Sequence, residues 1–158
     1  LTMVTWVGGL MFFAFVLAPV AFHILPSTHE AGLVVGGTLI VLHRIGMACG
    51  TLFLLATSIL WLSRRADRRT GYLIQLALVA IMLSITAYLQ NSVLPRMERD
   101  RVQAGGDIDA TPTDDPARRD FERLHPLSER FEGVALLAGL GIVFLMATQS
   151  DAPETVNS

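Results

Sequence analysis

The chain has 158 residues, enough for one ordinary domain, but 52% of them are apolar and only 16% charged, with a mean hydropathy of +0.51. Its charges are segregated: Glu30 and Arg44 alone in residues 1–63, five charges in 64–69, none in 70–94, seventeen in 95–132 and none in 133–150. A soluble fold needs charge on the outer face of every element, so three charge-free stretches of membrane-spanning length exclude one.

Other bulk properties exclude function classes. A net charge of −2 leaves no electrostatic footprint for nucleic acid, and a single Cys rules out an intramolecular disulfide or a CxxC metal site. The sequence contains no phosphate loop, GxGxxG, HExxH or GxSxG, and His29-Glu30 lacks the second His of a zinc-protease helix. These absences leave soluble enzymology no foothold.

A bilayer core takes about 20 apolar residues of helix. Residues 2–25 supply the first span, ended by Pro26 and the turn-forming Ser27-Thr28. This run lacks the basic start and short apolar core of a signal peptide. The second helix runs from Glu30 to Leu62 without proline, which is long for one crossing. Residues 45–62 span alone, leaving 30–44 as an extension at or beyond the outer interface. The third span is 71–94, stopped by Pro95, and the fourth is 127–146 with an amphipathic lead-in from Phe121. Residues 100–120, rich in Asp, Gly and Pro, read as a long acidic, disordered outer loop, and 151–158 as a polar tail. The Asp cluster there lacks an EF-hand framework. The expectation is an all-α membrane protein, a single four-helix transmembrane bundle over residues 1–150.

Arg64, Arg65, Arg68 and Arg69 crowd the short connection between helices two and three, which places it in the cytoplasm by the positive-inside rule. Both termini are then cytoplasmic and the protein sits in the plasma (inner) membrane. Trp6 and Trp61 read as interfacial anchors, and Cys49 and Met47 as core.

At about 100° per residue, Gly32, Gly36, His43, Gly46, Gly50 and Thr57 share one face of helix two. Both glycine pairs have GxxxG spacing, which lets helix backbones approach closely in lipid. The expected use is packing within the monomer, with a homo-oligomer seam as the other use. On helix three, Ala77, Ala80, Ser84, Ala87, Tyr88 and Asn91 form the expected matching face. On helix four, His125, Ser128, Glu129 and Glu132 share a face, and helix one offers Ala14, Ala18 and Ala21 along one side.

On this topology His23, His29, His43 and His125 all fall at the outer interface, with Arg44, Asn91, Glu129 and Glu132 at similar depth. Glu132 lies inside the last span, where an ionised carboxylate is costly unless paired. Arg44 is its expected partner, with His43 and His125 as others. The group reads as a polar collar that fixes helix register. A metal, haem or proton-handling site, with His23, His43 and His125 as the metal candidates, and a ligand-transport vestibule are the alternatives.

Three segments carry a family resemblance: Trp6-Val7-Gly8-Gly9 through Ala18-Pro19-Val20-Ala21-Phe22-His23-Ile24-Leu25-Pro26, Val93-Leu94-Pro95-Arg96-Met97, and Phe121-Glu122-Arg123-Leu124-His125-Pro126-Leu127-Ser128. Together they resemble the transmembrane protein 205-like family, four-helix membrane proteins whose bacterial members carry a domain of unknown function. The resemblance implies fold and location, and no reaction. Glu129 and Glu132 depart from the apolar or amide residues expected there. The functional expectation is a non-enzymatic multi-pass membrane protein in a transport or stress-related role, with no cofactor and the lipid bilayer as its partner. The alternative is a redox protein holding haem or copper through outer histidines, related to copper-resistance-type four-helix proteins.

Overall fold

The computed structural model describes residues 1–63 and 69–150, and no strand occurs among them. The described residues form four long helices: α1 (Thr2–Ile24), α2 (Thr28–Ser63), α3 (Arg69–Tyr88 continued through Leu89–Val93 and Leu94–Gln103) and α4 (Pro116–Ser150). All four are long and apolar enough to cross a membrane. Side-chain contacts set their register. Trp6 meets Gly46 and Gly50, Leu83 meets Gly50, Gln90 meets His43, and Met82 and Leu78 meet Gly139 and Gly141. Neighbours therefore run antiparallel, in an up-down-up-down bundle.

Local chemistry starts the helices. The Ser27 hydroxyl accepts a hydrogen bond from the Glu30 amide at 3.1 Å, capping α2. Asp115 Oδ1 does the same for the Ala117 and Arg118 amides of α4 at 2.8 and 3.3 Å, with Pro116 in the first helical position.

Two prolines behave differently from the expectation. Pro95 does not end α3. A single wide π-turn over Leu89–Val93 precedes it and the helix runs on to Gln103. Proline removes one ladder hydrogen bond and crowds the carbonyl four residues back. A π-turn supplies the extra residue that lets the backbone pass that point. The same device, Phe13–Leu17, precedes Pro19 in α1. Pro126 likewise lies inside α4, which begins at Pro116, well before the expected lead-in.

Residues 100–120 are not the expected disordered loop. α3 takes in the first of them, α4 the last, and turns join the two. Gly105 and Gly106 adopt φ of 78° and 100°, which closes the end of α3. Ile108 and Ala117 are buried, and the Arg118 guanidinium donates to the Thr111 carbonyl at 2.6 Å. One apolar anchor and one bridging guanidinium outweigh a composition that reads as linker. The Arg-rich connection, apart from the backbone of Arg69, and the polar tail lie outside the described residues.

The largest core cluster lies toward the Ser63 end, built from Met3, Trp6, Val7 and Leu10 of α1, Phe53 of α2, Val79 and Met82 of α3, and Ile142 of α4. Trp6 is its centre and is fully buried, not an interfacial anchor. A Cβ added at Gly46 would collide with its Nε1, and one at Gly50 with its Cζ3. Two missing side chains thus form the slot that holds one indole.

The buried face of α3 is also not the one expected. Ala77, Ala80, Ser84, Tyr88 and Asn91 are exposed, whereas Gln75, Val79, Met82, Thr86, Leu89 and Val93 point inward. Val79, Met82, Leu89 and Val93 fill the interior with Gln75 and Thr86, and the small residues border the outside beside Leu73, Ile74 and Ile81.

Candidate functional site

Toward the Pro26 end the bundle opens. A cavity of about 960 Å³ lies between the second half of α1, the first half of α2 and the first half of α4, bordered by the end of α3 and the turns after it. Its walls differ in chemistry. Leu10, Phe13 and Phe22 of α1 and Leu33, Val35 and Ile40 of α2 give an apolar wall. Glu98 and Arg101 of α3 with Glu122, His125, Glu129 and Glu132 of α4 give a charged one. The cause lies in the sequence: α1 and α2 are mostly apolar toward this end, with His23, His29, Glu30 and Arg44 their titratable side chains, while α3 and α4 carry many charges there.

Some of these charges neutralise one another. Arg101 pairs with Glu98 at 2.8 Å, and its guanidinium carbon lies 5.6 Å from the Phe121 ring centre. Arg118 pairs with Glu122 at 2.7 Å. Asp109 accepts from the Thr28 hydroxyl, which ties the connecting turns to the start of α2. Among the described residues, Asp107, Asp109, Glu129 and Glu132 line the cavity without a guanidinium in salt-bridge contact. The cavity surface is therefore acidic on one side and apolar on the other.

At the cavity's inner edge a polar group crosses three helices. The ring of His43 is fully buried; its Nε2 contacts Glu132 Oε1 of α4, and its Nδ1 lies 3.2 Å from Gln90 Oε1 of α3. The Glu132 side chain is 17% exposed and reaches the cavity. Gln90 sits in the π-turn of α3. A regular helical period points instead to Asn91, whose side chain is exposed and bonds back to the Ala87 carbonyl at 2.8 Å. An extra residue in a helical turn rotates every later side chain about the axis, and a uniform period does not register it. Proline two residues after the turn is the sequence signal that marks it.

The other expected collar residues separate. Arg44 is exposed and makes no ion pair among the described residues. One residue is about 100° of helix, so burying His43 turns Arg44 away from Glu132. His125 pairs with Glu129 one turn on, at 3.6 Å, and both are exposed at the mouth of the cavity. His23 is exposed in the last turn of α1, and His29 lines the cavity. No group of three His, Cys, Asp or Glu side chains among the described residues is placed to hold a metal ion. Gly32 and Gly36 line the cavity, and a Cβ at Gly36 would meet nothing within 4 Å.

Four long apolar helices in one bundle define a multi-pass membrane protein. A family model for a domain of unknown function, DUF4149, matches residues 1–105. The chain belongs to that family. The matched stretch includes His43 and Gln90 and ends before α4, which supplies Glu132. No curated protein and no solved structure matches the chain.

Proposed function

We propose that the protein binds a cationic amphipathic molecule in the cavity, in a transport or lipid-handling role at the membrane. The observation that carries this is the mismatch of the walls. An acyl or aromatic body fits against Phe13, Leu33 and Ile40, and a positive head group fits against Glu129 and Glu132. The volume of about 960 Å³ lies at the upper end of small-molecule sites. An anionic head group is disfavoured, because the carboxyl groups on that side have no guanidinium partner and offer it no positive charge. The resemblance of the proline-flanked segments to the transmembrane protein 205-like family agrees with a membrane role of this kind. The Arg-rich short connection supports an orientation in which the cavity opens toward the outside.

The test uses the full chain in nanodiscs of zwitterionic lipid, titrated with dodecyltrimethylammonium or with dodecyl sulfate. Saturable binding of the cation, weak binding of the anion and loss of the cation site in Gly36→Phe are expected. Equal uptake of both amphiphiles, unchanged by that substitution, overturns the reading.

A further inference from the structure

His43, Gln90 and Glu132 form an arrangement that holds one shared proton when the Gln90 amide oxygen faces the ring. Gln90 presents its amide oxygen to Nδ1 at 3.2 Å. An amide oxygen only accepts, so Nδ1 carries a hydrogen. Nε2 and Glu132 Oε1 are then held together by one proton. Either a carboxylic acid donates to a neutral imidazole, or an imidazolium donates to a carboxylate. Both forms contain the same proton and have no net charge.

With the Gln90 amide oxygen kept on Nδ1, removing that proton leaves the Nε2 lone pair against a carboxylate, beside a fully buried ring. One negative charge is then uncompensated, and burying such a charge is costly. No guanidinium among the described residues is placed to offset it: Arg44 is exposed on another face and Arg101 is held by Glu98. The other charged and titratable groups that border the cavity are His125, Glu122 and Glu129 on α4, Glu98 and Arg101 on α3, His29 on α2, and Asp107 and Asp109 in the connecting turns. Residues 2–22 of α1 contain none. Of these, Glu98 and Glu122 are held by Arg101 and Arg118, and Asp107, Asp109 and Glu129 deepen the negative potential at Glu132.

A cation against the exposed edge of Glu132 supplies the missing positive charge. We propose that the His43–Glu132 pair is a proton-for-cation exchange centre: an ammonium group entering the cavity releases the shared proton to water, and its departure lets the pair take one back. The N–H or O–H bond that holds the proton breaks, water or buffer accepts it, and the ammonium keeps the total charge constant. Gln90 is a positioning residue that fixes the imidazole tautomer. The inference rests on the cavity being a cation site.

Titration calorimetry of the full chain in nanodiscs with dodecyltrimethylammonium, in two buffers of different ionisation enthalpy, counts the protons. The wild-type protein is expected to release close to one proton per cation bound. Its apparent Kd should fall about tenfold for each unit that the pH is raised, as long as one proton is released per cation, as one-proton linkage requires. Glu132→Gln and His43→Gln should release none, and ¹⁵N spectra of the wild-type protein should show His43 protonated at Nδ1. Saturable binding without proton release, or undiminished release in His43→Gln, overturns the exchange centre and leaves the cavity reading intact. Absence of any saturable cation binding overturns the cavity reading itself, and the exchange centre with it.

Discussion

The two glycine pairs of α2 have the same spacing and different fates. Gly46 and Gly50 form a slot that Trp6 fills completely, with Leu83 closing one side. Gly32 and Gly36, closer to the Pro26 end, border open space. Toward the Ser63 end every helix offers apolar bulk, so the interior closes by interdigitation. Toward the Pro26 end two mostly apolar helices face two that carry many charges, and neither side gains by collapsing onto the other. Small residues on a membrane helix therefore permit close approach; whether anything approaches depends on the chemistry opposite.

Breaking the packed half should cost most. Trp6→Ala empties the slot and is expected to lower stability in detergent by about 3–5 kcal/mol, as large-to-small core substitutions do. Thermal unfolding checks this, and a shift no larger than that of an exposed substitution such as Val4→Ala would mean that the slot is not filled.

The glycines themselves sharpen the contrast. Gly46→Ala places a methyl group against the indole and is expected to destabilise by about 1–3 kcal/mol. Gly36→Ala meets nothing within 4 Å, so only the backbone effect remains, a stabilisation of up to about 1 kcal/mol. Equal and same-signed effects at the two sites would contradict the difference between the halves.

The smallest expected effect separates neighbours in the π-turn. Gln90→Leu leaves the buried His43 Nδ1 without its hydrogen-bond partner and should cost about 1–2 kcal/mol. Asn91→Leu removes only a bond back to its own helix and should change stability by less than about 0.5 kcal/mol. Melting temperatures of the two variants decide whether the turn points Gln90 inward.

Some of the site is legible in the sequence and some is not. The depth of Glu132 in an apolar run marks it as needing a partner, because a lone carboxylate is costly there. His43 lies on the glycine face and so toward protein. Arg44 looks like the stronger partner by charge alone, but adjacent helical residues point about 100° apart and cannot both face one neighbour. Asn91 looks better placed than Gln90 only if a regular period runs across a proline-adjacent turn. The face of α3 is misleading for another reason. Its small residues suggest a packing surface, whereas Val79, Met82 and Leu89 are the chains with volume to fill the interior.

What the sequence determined by itself is the membrane class, the four helices and the charged segments, because these depend on hydropathy, length and charge spacing along a single chain. The order of residues also determined that two apolar segments would stand beside two charged ones. The tertiary structure alone decided that Trp6 fills the Gly46–Gly50 slot, that residues 104–115 fold over Ile108, and that His43 meets Gln90 and Glu132 rather than Arg44. Each of these depends on contacts between helices far apart in sequence, and on two π-turns that rotate the chain by an amount no periodicity contains.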